Sequence, residues 1–342
     1  MLRINRRHFF AAAGAAPLAA CARETQSENG GETSLLVDLE RDPDFDIGLW
    51  PNGAPGGEGV SVEETIVHRD NAFGLVDRAA HNVTRPALSV FRANEPDGSA
   101  ILIIPGGGYK WVVIDKEGFE GARLFSRQGA CVYVLSHRLP HQGWAAGPDA
   151  PLQDAQRAMR LIRARASEDG VDPGRIALMG FSAGGHLAGS LNARFDAEVY
   201  APVDAADEHS ARPDFTALIY PVATLRKPFT HQSTSENMVG AAPAETLLAK
   251  YSLESSVRPG MPPTFLMHAA DDDAVPVENS LQLFAALKAQ SIPAAMHIFE
   301  KGGHGFGLRG IDDTPLRAWP ELFWRFGAAH GVFRNADWRE TH

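Results

Sequence analysis

Short apolar runs alternate with longer amphipathic stretches from about residue 60 onward. The continuous apolar runs Ala100–Ile104 and Cys131–Ser136 are typical of strands buried on both faces of a parallel sheet. Residues 151–167 instead carry apolar side chains at helical spacing, with arginines on the opposite side. This alternation predicts an α/β fold with a mostly parallel central sheet flanked by helices.

The same pattern sets the approximate bounds of the elements. The predicted strands cover residues 65–68, 87–91, 100–104, 131–136, 175–181, 215–220, 264–268 and 294–300. The predicted helices cover residues 117–128, 151–167, 277–290 and roughly 316–329, with a shorter piece near 245–251. Residues 223–258 separate two strands by more than a crossover requires, so we interpret them as a small cap-like insertion. The alternative is a simple surface excursion.

The first residues predict an export signal rather than part of the fold. Arg6 and Arg7 precede the apolar run 11–20, which resembles a twin-arginine signal and is too short to span a bilayer. The run ends in LAAC at Cys21, which resembles a lipobox, and a plain cleaved signal is the alternative. The predicted division is a signal over 1–21, a flexible linker over 22–34 and one domain over 35–342. We therefore expect a periplasmic protein that contacts the membrane only through a lipidated Cys21.

The composition of the chain excludes some classes of binding partner and cofactor. The formal net charge of −10 argues against binding to nucleic acid or to an anionic membrane surface. With Cys21 lipidated, Cys131 is the second of only two cysteines and cannot form an internal disulfide. Cys131 lies in an apolar strand pattern, which favours a buried, inert thiol. No zinc-type spacing of cysteine and histidine occurs, so we expect no metal. We also expect no organic cofactor.

Residues 180–184 have the sequence GFSAG, directly after an apolar run and before a segment of small residues. In a strand-to-helix turn, this pattern holds a serine hydroxyl out of the sheet as a nucleophile. Glycines two residues to either side let the strand and the helix pass close together. Ser182 is therefore the candidate nucleophile, and it requires a base that takes its proton.

The base and the acid are predicted from the loops that follow the last strands. His304 lies in a glycine-rich loop, residues 301–307, just after the last apolar strand. Three consecutive carboxylates, Asp271, Asp272 and Asp273, lie between the serine and the histidine in chain order. One of them would orient His304, and the spacing alone does not choose among them.

An oxyanion formed at Ser182 would need backbone N–H donors. The helix that begins at the serine offers the amide of Ala183. The PGGGY sequence of residues 105–109 follows a buried strand, and its Gly107 and Gly108 can turn further amides inward. A generic glycine turn is the alternative.

These motifs together resemble the α/β-hydrolase superfamily, and within it the bacterial esterase/lipase group that includes acetyl xylan esterases. The resemblance rests on PGGGY, on GFSAGGH from residue 180, on DDDAVPVENS from residue 271 and on KGGHGFG from residue 301. In this group the acid stands three residues before the valine of the Val-Pro pair, which implies Asp272. Lipase relatives often carry a histidine where this chain has Pro105, so no histidine contribution to the oxyanion loop is implied.

The resemblance implies a serine carboxylesterase that deacetylates xylan-type oligosaccharides. Feruloyl esters or general short-chain esters are the alternative substrates, and a non-catalytic carbohydrate-binding lipoprotein is an alternative of another class. Tyr109, Trp111 and Trp144 lie in loops near the predicted site, where aromatic rings can stack on sugars. Ordinary loop packing is the competing interpretation of these three residues.

Overall fold

The computed structural model describes residues 34–334 and residue 338. The predicted signal, Cys21 and nearly all of the predicted linker lie outside the described residues. Within the described residues, no helix is both long and apolar enough to cross a membrane.

An eight-stranded sheet forms the centre of the described structure. In spatial order its strands are β1 (Phe45–Gly48), β4 (Ala87–Phe91), β7 (Cys131–Ser136), β5 (Ala100–Ile104), β8 (Ile176–Phe181), β9 (Phe215–Ile219), β10 (Thr264–Ala269) and β11 (Ala294–Phe299). The six strands from β7 to β11 pair in parallel, whereas β1 and β4 run antiparallel at one edge. A second, three-stranded sheet contains β2 (Thr65–His68), β3 (Arg78–His81) and β6 (Val112–Val113). The predicted α/β class with a mostly parallel sheet is confirmed.

Helices cover both faces of the large sheet. They are α1 (Glu120–Gln128), α2 (Ala150–Ala164), α3 (Ser182–Arg194), α4 (Gln232–Val239), α5 (Glu245–Tyr251), α6 (Glu278–Ala289) and α7 (Trp319–Ala329). Strand β5 has apolar side chains on both faces of the sheet. Leu102 and Ile104 belong to a core shared with α2 and α3. Ile101 and Ile103 point into a second core with α1 and α7. Burial on two faces explains the unbroken apolar runs of the central strands.

Some elements differ from their predicted bounds. The helix predicted from residue 117 begins as a π-helical turn, Asp115–Phe119, and α1 follows from Glu120. The last helix begins as a 3₁₀ turn over Pro315–Ala318. Strands β1, β3 and β6 and helix α4 are absent from the prediction, because such short elements carry too few residues to show a clear period.

The predicted insertion, residues 223–258, contains α4 and α5 and links β9 to β10. His231 and Asn237, at the two ends of α4, line the pocket that contains Ser182. The segment therefore contributes one wall of that pocket. Its role in binding a substrate stays a prediction.

Candidate active site

Ser182 stands at the junction of β8 and α3 with a backbone φ of 52°, a left-handed conformation that is unfavourable for a residue with a Cβ. The two glycines around it are required by space. A Cβ on Gly180 would lie 2.4 Å from the carbonyl oxygen of Gly184, and a Cβ on Gly184 would lie 2.2 Å from that of Ile104. The close approach of strand and helix thus fixes the turn, and the turn presents the Ser182 hydroxyl to the pocket.

His304 meets Ser182 from a loop that lies 122 residues further along the chain. Its Nε2 is 2.8 Å from Ser182 Oγ, and its Nδ1 is 2.7 Å from Asp272 Oδ2. The loop that holds it follows β11, and both Gly303 and Gly305 adopt positive φ. The structure therefore brings the three residues of the predicted triad into one hydrogen-bonded line.

Asp272 is buried, and four hydrogen bonds hold its carboxylate. Its Oδ1 accepts from the backbone N–H groups of Ala274 and Val275, at 3.0 and 2.8 Å. Its Oδ2 accepts from His304 and, at 3.2 Å, from Nε2 of the buried His268. Burial alone would raise the pKa of Asp272. The hydrogen bonds from His268 and His304, the charge of His304 and the N–H of Val275 together outweigh burial and lower that pKa to about 2. The carboxylate is ionised at neutral pH, so it accepts the Nδ1 proton of His304 and leaves Nε2 free to accept from Ser182.

The three consecutive aspartates have different surroundings. Asp271 is exposed, and its Oδ1 accepts from the N–H of Gly303 at 2.8 Å, so it anchors the loop just before His304. Asp273 is exposed, and neither it nor Asp271 contacts the imidazole among the contacts of the described residues. Sequence reasoning missed His268 as a partner of Asp272, because a histidine inside an apolar strand gives no sign of which loop it meets.

The loop after β5 takes the shape predicted for oxyanion donors. Gly107 and Gly108 have φ of 126° and 62°. A Cβ on Gly107 would lie 2.3 Å from the carbonyl oxygen of Trp111, so only glycine fits there. Within the described part of the chain, the N–H groups of Gly107, Gly108 and Ala183 have no hydrogen-bond acceptor. Gly107, Gly108 and Ser182 line the same pocket, so these amides are available to a bound group.

A buried carboxylate that sequence reasoning missed supports this loop. Glu117 is 3% exposed, and its Oε2 accepts from the N–H of Gly106 at 2.9 Å. Its Oε1 accepts from the hydroxyl of Tyr220 at 3.2 Å. The same Tyr220 oxygen accepts from the N–H of Gly307 at 3.1 Å, and the Tyr220 ring packs edge-on against the ring of His304. Glu117 thus links the glycine loop to the loop of the candidate base.

One sequence signal could have identified Glu117. It stands one helical turn before Gly121 and two turns before Leu124, on the apolar side of the predicted helix. A carboxylate on the apolar side of a helix needs partners inside the protein, since an unpaired buried charge is costly.

The pocket at Ser182 has a volume of about 260 Å³. His231, which the sequence analysis did not single out, also lines this pocket. Its Nδ1 is 2.7 Å from Thr234 Oγ1 at the start of α4. Burial lowers the pKa of His231, and the nearby charge of His304 lowers it further. His231 therefore favours its neutral form and can donate or accept a hydrogen bond in the pocket.

The structure corrects two of the three residues predicted to stack on sugars. Tyr109 is 1% exposed, and its hydroxyl lies 2.9 Å from Nδ1 of the buried His186. Trp144 is 6% exposed and packs under the guanidinium of Arg138, 4.8 Å from its ring centre. Neither ring offers a face to a ligand. Trp111 is half-buried and lines the pocket, so its stacking role stays a prediction.

The described residues contain no cluster of three or more histidine, cysteine, aspartate or glutamate side chains placed to hold a metal ion. Cys131 is buried in β7, and burial raises the pKa of its thiol to about 11. The free thiol therefore stays protonated, as expected of a structural cysteine.

A family model described as BD-FAE matches residues 90–287 of the chain, which is more than half of its length. The matched region includes Gly107, Ser182 and Asp272. Two curated relatives support it. An endo-1,4-beta-xylanase B of Butyrivibrio fibrisolvens is 38% identical over 219 residues, and an acetylxylan esterase of Xylanibacter ruminicola is 31% identical over 222 residues. Each alignment covers 64% of this chain, but the chain spans only 34% and 43% of the lengths of these relatives.

Solved structures show the same fold over nearly their whole length. An acetyl ester-xyloside bifunctional hydrolase from Caldicellulosiruptor lactoaceticus is 32% identical and superposes with a TM-score of 0.67, covering 85% of this chain and 98% of that one. A carboxylesterase from Lactobacillus plantarum, at 23% identity and a TM-score of 0.59, covers 80% of this chain and 99% of its own. At 23% identity, the similarity to the Lactobacillus plantarum carboxylesterase shows a shared fold alone. The sequence resemblance is thereby confirmed: the chain belongs to the BD-FAE family and has the α/β-hydrolase fold.

Proposed function

We propose that this protein is a serine carboxylesterase that removes acetyl groups from xylan-type oligosaccharides. The observation that carries the proposal is the hydrogen-bonded line from Ser182 through His304 to Asp272, with distances of 2.8 and 2.7 Å. Free backbone amides beside the serine add the donors that acyl transfer requires.

In the proposed reaction, Ser182 Oγ attacks the ester carbonyl carbon while its proton passes to His304 Nε2. The negative oxygen that forms accepts hydrogen bonds from Ala183 and from Gly107 or Gly108, each worth about 3 kcal/mol of the barrier. When the carbon–oxygen bond to the alcohol breaks, His304 gives its proton to the departing alkoxide. Water then attacks the acyl-serine with His304 again as base, which releases the carboxylic acid and restores Ser182. Asp272 stays ionised throughout and holds the imidazole in place.

The substrate class rests on the relatives. Two proteins similar to this chain are named as an acetylxylan esterase and as an acetyl ester-xyloside hydrolase. A pocket of about 260 Å³ at Ser182 has room for a small acyl group together with part of the alcohol.

The chemistry is tested on the mature protein with p-nitrophenyl acetate and a fluorophosphonate probe. The native protein is expected to turn over the ester and to be labelled at Ser182, while Ser182→Ala loses both activities and keeps its circular-dichroism spectrum. An unlabelled native protein would favour the non-catalytic carbohydrate-binding alternative. Substantial turnover by Ser182→Ala would show that another nucleophile acts.

The substrate is tested by measuring acetate and ferulate release side by side from acetylated and feruloylated xylo-oligosaccharides. We expect acetate release to be faster by at least tenfold in kcat/KM. Faster ferulate release would move the assignment to a feruloyl esterase. Equal and slow release from both, with rapid hydrolysis of simple esters, would indicate a general short-chain carboxylesterase.

We also propose that the protein is exported by the twin-arginine route and tethered in the periplasm through a lipidated Cys21. The support is the sequence around Arg6, Arg7 and Cys21. In cell fractionation, replacing both arginines by lysine should keep the protein in the cytoplasm. Cys21→Ala should release an exported protein from the membrane fraction. Membrane association that persists in Cys21→Ala would contradict the lipid anchor.

A further inference from the structure

We propose that Lys116 makes this site selective for esters whose alcohol part carries a carboxylate, such as acetylated oligosaccharides bearing a uronic acid. This inference rests on the proposed esterase function and specifies that the alcohol part of the substrate is negatively charged. Its basis is an ammonium group that has no ion-pair partner in the described part of the chain and lies where the alcohol must leave.

The pocket at Ser182 differs in charge from the protein as a whole. The chain carries a formal net charge of −10, yet the described lining of this pocket includes three cations, Arg69, Lys110 and Lys116, and a single carboxylate. That carboxylate is Glu117, which is committed to the N–H of Gly106 and to a tyrosine hydroxyl. A cationic pocket in an anionic protein attracts anionic ligands.

Two of the three cations already have partners. Nη2 of Arg69 donates to both carboxylate oxygens of Asp77, at 2.8 and 2.9 Å. Lys110 is exposed, and its ammonium lies 4.6 Å from the centre of the Trp111 ring. Both charges are therefore partly satisfied by solvent or by neighbouring side chains.

Lys116 is different, since it is half-buried and forms no ion pair with any residue in 34–334 or with residue 338. Its chain neighbours cannot neutralise it. Asp115 is engaged by Arg78 at 2.7 Å, and Glu117 is held in the glycine loop. The ammonium lies against the loop of the candidate base: a Cβ built on Gly305 would be 3.1 Å from Lys116 Nζ.

The position of Lys116 relates it to the leaving alcohol. His304 must reach the alcohol oxygen to protonate it, so the alcohol lies beside the imidazole. Lys116, His304 and Gly305 line both the Ser182 pocket and an adjoining pocket of about 700 Å³. The larger space, whose walls include Phe73 and Phe306, can hold the sugar rings of the alcohol.

The half-buried Lys116, which has no ion-pair partner among the described residues, places a positive charge where the two pockets join. The described lining of the larger pocket has four cations against three carboxylates, Asp70, Asp77 and Glu300. Two of these cations, Arg69 and Arg309, are ion-paired, and a third, Lys301, is exposed to solvent. A carboxylate on the sugar that carries the ester would therefore find its counter-charge at Lys116.

The test compares two matched substrates: a mono-O-acetyl methyl glucuronoside and its C6 amide, which has nearly the same shape without the charge. For the native protein we expect kcat/KM to favour the acid about tenfold, the usual size of one added charged hydrogen bond. The ratio should fall towards one as ionic strength rises to about 1 M, since salt screens the attraction.

Lys116→Gln should reduce the acid-to-amide ratio to about one, and Lys116→Arg should keep most of it. Lys288→Gln is the matched control, because Lys288 is an exposed lysine on α6 that lines neither pocket and its loss changes the net charge equally. The acid-to-amide ratio is measured within each variant, so a loss of rate that affects both substrates equally does not change it.

A native ratio near one, with both sugars deacetylated, overturns this inference and leaves the esterase proposal intact. A ratio that survives Lys116→Gln, or that falls equally in Lys288→Gln, also overturns the role of Lys116. Failure of the native protein to hydrolyse either sugar or p-nitrophenyl acetate would instead contradict the esterase proposal itself.

Discussion

Removing the Glu117 carboxylate should slow the reaction without touching the triad. Glu117→Ala leaves two buried donors, the N–H of Gly106 and the hydroxyl of Tyr220, without their acceptor. An unmet buried donor costs about 1–3 kcal/mol, so we expect the free energy of unfolding to fall by about 2–6 kcal/mol. Glu117→Gln retains one acceptor oxygen and should lose about half as much.

The kinetic effect follows from the same contacts. Gly106 precedes the two glycines whose amides face the pocket, and Tyr220 supports both the Gly307 amide and the ring of His304. Loss of one oxyanion donor, or a shift of about 1 Å in a reacting group, slows catalysis about 100-fold. We expect Glu117→Ala to lower kcat for p-nitrophenyl acetate about 100-fold with a smaller change in KM.

The assay pairs steady-state kinetics with urea unfolding at the same pH. Asp169→Asn is the control, because Asp169 is also a buried carboxylate that accepts from a tyrosine hydroxyl, that of Tyr133 at 2.7 Å, and it lines neither pocket. It should lose stability and keep kcat. A folded Glu117→Ala protein with kcat within about twofold of native would refute the reasoning, as would an equal loss of kcat in Asp169→Asn.

Three further outcomes are expected. Asp272→Asn should lower kcat about 10⁴-fold, because the neutral amide no longer fixes the tautomer of the base, whereas Asp273→Asn should stay within a few-fold; equal losses would misplace the acid. Gly107→Ala should lower kcat at least 100-fold with little change in global fold by circular dichroism, since its Cβ would lie 2.3 Å from a carbonyl oxygen; near-native activity would separate this loop from the reaction. Burial lowers the pKa of His186 from 6.5 to about 4, so the unfolded chain binds this proton first as pH falls. The free energy of unfolding should therefore drop by about 3 kcal/mol between pH 6.5 and 4. In His186→Gln, the free energy of unfolding measured in urea should change less over the same pH range.

The order of the strands and helices was accessible from the sequence because it depends on local periodicity. The apolar runs of β5 and β7 and the amphipathic pattern of α2 predicted these elements nearly to their bounds. The short strands β1, β3 and β6 escaped prediction, since four residues or fewer form a strand only when a neighbouring strand supplies hydrogen bonds.

The residues of the candidate site also divide into those that a local sequence pattern predicted and those that it did not. Ser182 and His304 were predicted because glycine-rich turns after buried strands have local signatures. The choice among three adjacent aspartates followed only from resemblance, and the contacts around Asp272 supply its physical reason. Tyr109 and Trp144 were misjudged because a loop sequence does not reveal which way an aromatic side chain turns.

The sequence by itself determined the α/β class and the serine turn, since both depend on residues close together along the chain. The chain order of the candidate triad can be read from the sequence directly. Only the tertiary structure decided that Glu117 supports the glycine loop and that His268 shares Asp272 with His304. It also decided that Lys116 lines the pocket with no ion-pair partner among the described residues. These contacts join separate segments, such as the loops of Asp272 and His304, which are 32 positions apart. Burial sets the energies of these contacts, and neither distance in space nor burial can be read from a local sequence pattern.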